Sequence, residues 1–181
     1  DTVRFRTSWW YRNEFNIDDA SKNTELVFEV INYRANVWIN GVRIASADTL
    51  FGGFRIFKID ISKDVNQGKN ALAVEVYNQK KDEPSIGFVD WAPMSPDREM
   101  GLWRPVKIIT SGKASLDNAF VLSKIDKKEF SEADLQVSVE AINNTSGQLK
   151  AVVKGTIENI SFEKKVTLRP KEKQLVVFSS K

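Results

Sequence analysis

Short stretches in which apolar and polar residues alternate succeed one another through this chain, and none carries a convincing helical repeat. The segment Thr7–Ile17 alternates from Tyr11 onward, which predicts a strand with one wet face. After a polar turn at residues 18–23, Leu26–Ile31 reads as a second strand. Asn36–Ile39 and Val42–Ala45 flank Asn40-Gly41, a dipeptide suited to the two positive φ angles of a type I′ turn, so a hairpin is expected there. Phe54–Ile61 alternates again, residues 66–70 turn, and Ala71–Tyr77 and Val106–Ile109 complete the set. Six or more short strands with turn signals roughly every 8–12 residues predict an antiparallel sandwich.

Beyond Ser111-Gly112-Lys113 the composition changes: every tryptophan lies before that point, and the remainder is rich in Val, Lys, Glu, Ser and Thr. Leu116–Ile125, Leu135–Ile142, Leu149–Glu158, Ile160–Leu168 and Gln174–Phe178 read as strands, with a turn at residues 143–147. The expectation is a second, plainer β-sandwich of immunoglobulin type, with about five strands where such folds use about seven, so that it reads as cut short. The fold class is therefore all-β, in two domains, residues 1–113 and 114–181.

One connection is unlike the rest. Residues 87–106 join two strands, yet they hold two tryptophans, two methionines, two arginines and three prolines. A hairpin needs about two to five residues, so a linker of this size with large apolar side chains must fold onto itself or a partner. Pro93, Pro96 and Pro105 fix φ and reduce the entropy lost on ordering. Ordered loops on a β scaffold are where binding residues gather.

Composition narrows the chemistry. The 27 basic and 24 acidic residues leave a formal charge of +3, too small and too evenly spread for a nucleic-acid footprint, and no long apolar run marks a membrane span. The chain has no cysteine and no histidine. It can build neither disulfides nor thiolate or imidazole metal sites, and no Ser-His-Asp triad. No cofactor and no metal site is expected of this chain. Nor does its start resemble a signal sequence.

Asp90 and Asp97, with Glu99 nearby, are the best-placed carboxylates. Paired carboxyl groups are the apparatus of glycoside hydrolysis, but loop carboxylates usually serve their loop: Asp97 and Glu99 can equally pair with Arg98 or Arg104, or accept from backbone amides. Asp90 precedes Trp91 and a proline turn, setting an acceptor beside an apolar ring, a combination that holds a sugar by its hydroxyls and its C–H face. Trp91 reads as either core or platform. Trp103 and Trp38 read as core, Trp9 and Trp10 point to opposite faces of one strand, and Asn13-Glu14 is a wet-face pair. Asn143-Asn144-Thr145-Ser146 and Asn159-Ile160-Ser161 match the glycosylation sequon.

Three blocks carry a resemblance: Trp9-Trp10-Tyr11-Arg12-x-Glu14-Phe15, Val37-Trp38-Ile39-Asn40-Gly41, and Phe88-Val89-Asp90-Trp91-x-Pro93-x-x-Pro96-Asp97-x-x-Met100-Gly101-Leu102-Trp103-Arg104-x-Val106. Together they resemble the N-terminal sugar-binding region of family 2 glycoside hydrolases, on the exo-β-glucosaminidase and β-mannosidase side. The resemblance implies a galactose-binding-like jelly-roll followed by an immunoglobulin-like domain, with a (β/α)8 catalytic barrel as partner and carbohydrate as ligand. It also implies that Asp90 accepts from glycone hydroxyls, that Trp91 walls the subsite, that Asp97 and Arg98 share its rim, and that residues 100–104 anchor the loop.

Both catalytic glutamates of the family lie in the barrel, so this chain is expected to be a non-catalytic part of a hydrolase acting at the non-reducing end of β-linked glycans. Asp1 reads as an internal starting point, and a periplasmic or secreted bacterial location is the expectation. Two other readings stay open: an autonomous carbohydrate-binding module, and purely structural support for the barrel.

Overall fold

A computed structural model describes residues 5–80, 82–84, 91, 93, 95–125 and 132–179. The chain divides into two compact units, Asp1–Thr110 and Ser111–Lys181. The described secondary structure is twelve β-strands with no α-helix.

The first unit stacks two sheets. β1 (Trp9–Ile17), β6 (Gly68–Tyr77), β3 (Arg34–Ile39) and β4 (Val42–Ala45) form one, in that order, with antiparallel pairing throughout. β5 (Phe57–Asp60), β2 (Asn23–Phe28) and β7 (Val106–Ser111) form the other. Period-two alternation decides which side chains meet between them. Val37 and Ile39 of β3, Val74 and Val76 of β6, and Leu26 and Phe28 of β2 are buried in one core. Each such side chain contributes about 1.5–3 kcal/mol by leaving water.

The predicted hairpin is present: Asn40 and Gly41 have φ of 51° and 84°. The Asn40 side chain also donates to the carboxamide oxygen of Asn70 at 2.8 Å and accepts from the Ala71 amide at 2.9 Å, tying the turn to β6.

The tryptophan expectations need correction. Trp38 is not core; Ala35, Val37 and Ile39 take the inward positions of β3, which sends Trp38 to the outer face. Trp103 is also outside, 52% exposed, with the Arg104 guanidinium 5.0 Å from its ring centroid, because Met100 and Leu102 are the residues that pack on the core. Trp9 and Trp10 are both exposed, the first stacked on Phe5 and the second tilted against Trp38. Strand β5 is shorter than its sequence pattern: Phe54 and Ile56 are exposed ahead of its first pair, Phe28 with Phe57.

The second unit pairs β12 (Lys173–Ser179), β9 (Ala133–Asn143) and β8 (Ala114–Ile125) in one sheet and β10 (Leu149–Ile157) with β11 (Ile160–Leu168) in the other. Its small core is Val139, Ala141, Val153, Val166, Leu168 and Val176. Asn143, the first residue of a sequon, is fully buried here. Its amide donates to the Gly147 and Arg169 carbonyls at 2.7 and 2.8 Å, so it is held as the pivot of the turn.

Candidate functional site

Residues 98–105, the last part of the connection between β6 and β7, are held chiefly by one buried residue outside it. Asn32 lies just past the end of β2 and is fully buried. Its amide nitrogen donates to the Arg98 carbonyl at 3.2 Å and the Glu99 carbonyl at 2.7 Å. Its backbone exchanges bonds with Gly101 in both directions, at 2.9 and 2.6 Å, and further along the Glu29 amide donates to the Pro105 carbonyl. Residues 98–105 are thus pinned along residues 29–32.

Within the pinned segment the chain turns sharply. Arg98 and Glu99 both lie in the left-handed region, with φ of 50° and 57°, a conformation that non-glycine residues adopt only when their surroundings impose it. Here the imposing bonds are visible: Arg98 and Met100 donate their amides to the Ser95 and Asp97 carbonyls, and the Asp97 carboxylate accepts the Glu99 amide at 3.0 Å. That amide holds the Asp97 carboxyl below the usual carboxylate range.

Asp97 therefore contributes stability that is fully present above its ordinary value, about 3.9, and lost as pH falls through the lower folded value. Asp97→Asn is expected to flatten that part of the acid-unfolding profile. Urea midpoints of both proteins between about pH 5 and pH 2.5 check it; equal pH dependence in the two proteins would remove Asp97 from the account.

The turn borders a cavity of about 560 Å³. It is lined by residues 5–8, by Tyr77, Asn78 and Gln79 at and just past the end of β6, and by Ser95, Pro96 and Arg98. Asn78 links these segments, donating to the Phe5 carbonyl at 3.3 Å and the Asp97 carbonyl at 3.4 Å. Gln79 is only 7% exposed, and its side-chain oxygen has no partner among the described residues. A buried carbonyl oxygen without a donor is costly unless a ligand supplies one. Elsewhere in this unit the Arg34 guanidinium, over the rings of Tyr33 and Phe51, pairs with Glu83.

The four residues singled out from the sequence fare differently. Asp90 lies outside the described residues. Trp91 is 86% exposed, so its ring is not spent on the core of its own sandwich. Arg98 lines the cavity, and Asp97 beside it directs its carboxylate into the loop. Sequence reasoning passed over Asn32, Asn78 and Gln79. A polar residue directly after the strand segment Leu26–Ile31 was the available signal for Asn32. Among the described residues no group of three or more acidic, histidine or cysteine side chains is placed to hold a metal ion. What the cavity lining offers is hydrogen bonding.

Comparison with known proteins bears on this arrangement. The family model described as glycosyl hydrolase 2 galactose-binding domain-like matches residues 2–86. An exo-beta-D-glucosaminidase of Amycolatopsis orientalis is 34% identical over 177 residues, covering 97% of this chain and 17% of that protein. One of Streptomyces avermitilis is 31% identical over 176 residues, covering 97% and 20%. The crystal structure of the Amycolatopsis orientalis exo-chitosanase CsxA superposes with a TM-score of 0.92 at 34% identity, over 98% of this chain and 21% of that one. A family 2 beta-galacturonidase from Eisenbergiella tayi shares the fold, with a TM-score of 0.76 at 21% identity. The chain spans about a fifth of the length of the curated relatives it matches.

Proposed function

We propose, from the premise that this chain belongs to the glycosyl hydrolase 2 family through its galactose-binding-like domain, that it is the non-catalytic, sugar-facing part of an exo-acting glycoside hydrolase. Its partner is a (β/α)8 domain that supplies the catalytic carboxylates. The bond cleaved is the O-glycosyl bond at the non-reducing end of a β-linked glycan. Glucosamine is the favoured glycone, since the relatives that match nearly the whole chain are exo-beta-D-glucosaminidases.

The observation that carries this reading is the pairing of a rigidly pinned turn with an outward-facing indole: Asn32 fixes residues 98 and 99 while Trp91, a few residues upstream, is left to solvent. An indole left at the surface of a braced loop offers an apolar face with a polar edge, the kind of surface on which a sugar ring packs. Asp90, by its place in the Asp-Trp-x-Pro loop, would accept from glycone hydroxyls, and Arg98 in the cavity lining would donate to the same sugar. Asp97 acts one step back, by holding the turn that carries Arg98.

Steady-state kinetics on glucosamine oligomers, with this chain joined to its catalytic domain, test the reading. Trp91→Ala is expected to lower kcat/KM about tenfold, or about 1.4 kcal/mol, chiefly through KM. This chain alone should release no glucosamine. Kinetics unchanged by the substitution would leave the loop with a supporting role only.

A further inference from the structure

The outer face of the four-stranded sheet holds a second group of residues that the loop does not use. Trp10 of β1 lies opposite Glu75 of β6, and Trp38 of β3 lies opposite Ala73, the next outward position on that strand. Because Ala73 is small, the two indoles meet diagonally across β6, with centroids 4.9 Å apart and planes tilted by 31°. Trp10 remains 58% exposed. A contacting pair of indoles on the wet side of a sandwich is a large apolar surface placed where the fold itself does not need it.

Beside the pair stands an anion. The Glu75 carboxylate accepts from the Ser8 hydroxyl at 2.8 Å and the Asn36 amide at 3.1 Å, and the Tyr77 hydroxyl bonds to it as well. Burial pushes its pKa up, but the bonds from Tyr77, Asn36 and Ser8 outweigh burial and hold it below the ordinary value. These partners are all neutral, and among the described residues Glu75 has no ion pair, whereas Glu14 on the same face is matched by Lys69 and Arg12. A carboxylate has about four acceptor positions, so Glu75 keeps both a negative charge and room for another donor. The group also leads to the cavity: Ser8 and Tyr77 line it as well.

We propose that Trp10, Trp38 and Glu75 form a secondary binding surface for a protonated amino sugar within a β-linked chain. One pyranose packs its C–H face on the indoles, while its ammonium group lies against the Glu75 carboxylate, assisted by the π-face of Trp10. Neutral sugars gain the stacking alone, so the surface selects for the cationic polymer. The inference shares only its choice of sugar with the proposed function, because none of its residues belongs to the 91–104 loop.

Calorimetric titration of the whole chain with a glucosamine oligomer, and with a glucose oligomer of equal length and linkage, tests the proposal. Binding in the millimolar range is expected for the first and weaker binding for the second. Trp10→Ala, at an exposed position, should weaken the amino-sugar affinity about tenfold, Trp38→Phe should weaken it less, and Glu75→Gln should bring it down to that of the neutral oligomer. Melting curves of each variant establish that the sandwich is intact. Equal affinity for both oligomers, or binding indifferent to Trp10→Ala, overturns the proposal. Binding lost in Trp91→Ala but kept in Trp10→Ala places the sugar on the loop instead, overturning this surface while leaving the proposed function standing. If neither oligomer binds and Trp10→Ala abolishes association with another copy or with the catalytic domain, the face is a protein contact and the proposal fails.

Discussion

Asn32→Asp is expected to destabilise the first unit by about 3–5 kcal/mol, although the two side chains are nearly the same size. Asn32 is used as a donor: its amide nitrogen serves the carbonyls of Arg98 and Glu99, and its own oxygen has no partner among the described residues. A carboxylate there would turn an acceptor toward two acceptors and place an uncompensated charge at a fully buried position. Asn32→Ala removes the donor without adding charge, and about 2–3 kcal/mol is expected from two lost bonds.

The two variants also differ in pH dependence. Burial raises the folded pKa of the introduced carboxyl above its unfolded value, so its penalty is largest at neutral pH and shrinks as pH falls through the folded pKa and the proton restores one donor. Urea unfolding at pH 7 and at about pH 5 should therefore show Asn32→Asp recovering relative to Asn32→Ala. If Asn32→Asp is no worse than Asn32→Ala at pH 7, the donor role is wrong and the side chain merely fills space.

That residue also marks where sequence reasoning stopped. The Asn40-Gly41 hairpin was legible because its chemistry is local: two residues supply two positive φ angles. The strands were legible for a similar reason, since alternation is read within a few positions. The partners of Asn32 lie 66 and 67 residues away, and no pattern inside the run Leu26–Ile31 points to them. Gln79 and Asn78 were hidden in the same way; they count only because residues 5–8 and 95–98 come to meet them.

The misread tryptophans teach a different lesson. Trp38 sits between Val37 and Ile39, and alternation alone assigns those two inward and Trp38 outward, as found. The core reading, made from its place beside the turn, is overruled by strand geometry, because a residue on a pleated strand cannot leave its face. Met100, Leu102 and Trp103 repeat the point, with the smaller side chains on the core and the indole outside. Conversely, the doubt about Asp97 rested on sound physics. A short carboxylate two residues before an amide in the left-handed region is well placed to accept from it, and Asp97 does. The same alternation that displaced these indoles from the core left Trp10 and Trp38 free to meet on the outer face.

Gly101→Ala should lower the stability of the first unit by about 2–4 kcal/mol. Gly101 has φ of 145°, where L side chains are rarely found, and a Cβ built on it would stand 2.6 Å from the Tyr11 hydroxyl. Two mechanisms are thus available, and they separate by substitution. The Tyr11 hydroxyl is the far end of a side chain on an exposed strand, able to move aside at modest cost. The backbone is not free in this way, because the amide and carbonyl of Gly101 both bond to Asn32, so relaxing φ would sacrifice both bonds. The strain should dominate. Combining Tyr11→Phe with Gly101→Ala removes the colliding oxygen and should recover only a minor part of the loss, as read from urea midpoints of the single and double variants. Full recovery would mean that the clash, and not φ, requires glycine here. If φ is the cause, the alanine should also loosen the turn at Arg98 and Glu99, since their frame is the strip closed by Gly101. A kcat/KM loss comparable to that of Trp91→Ala would then appear although Gly101 itself never meets the sugar.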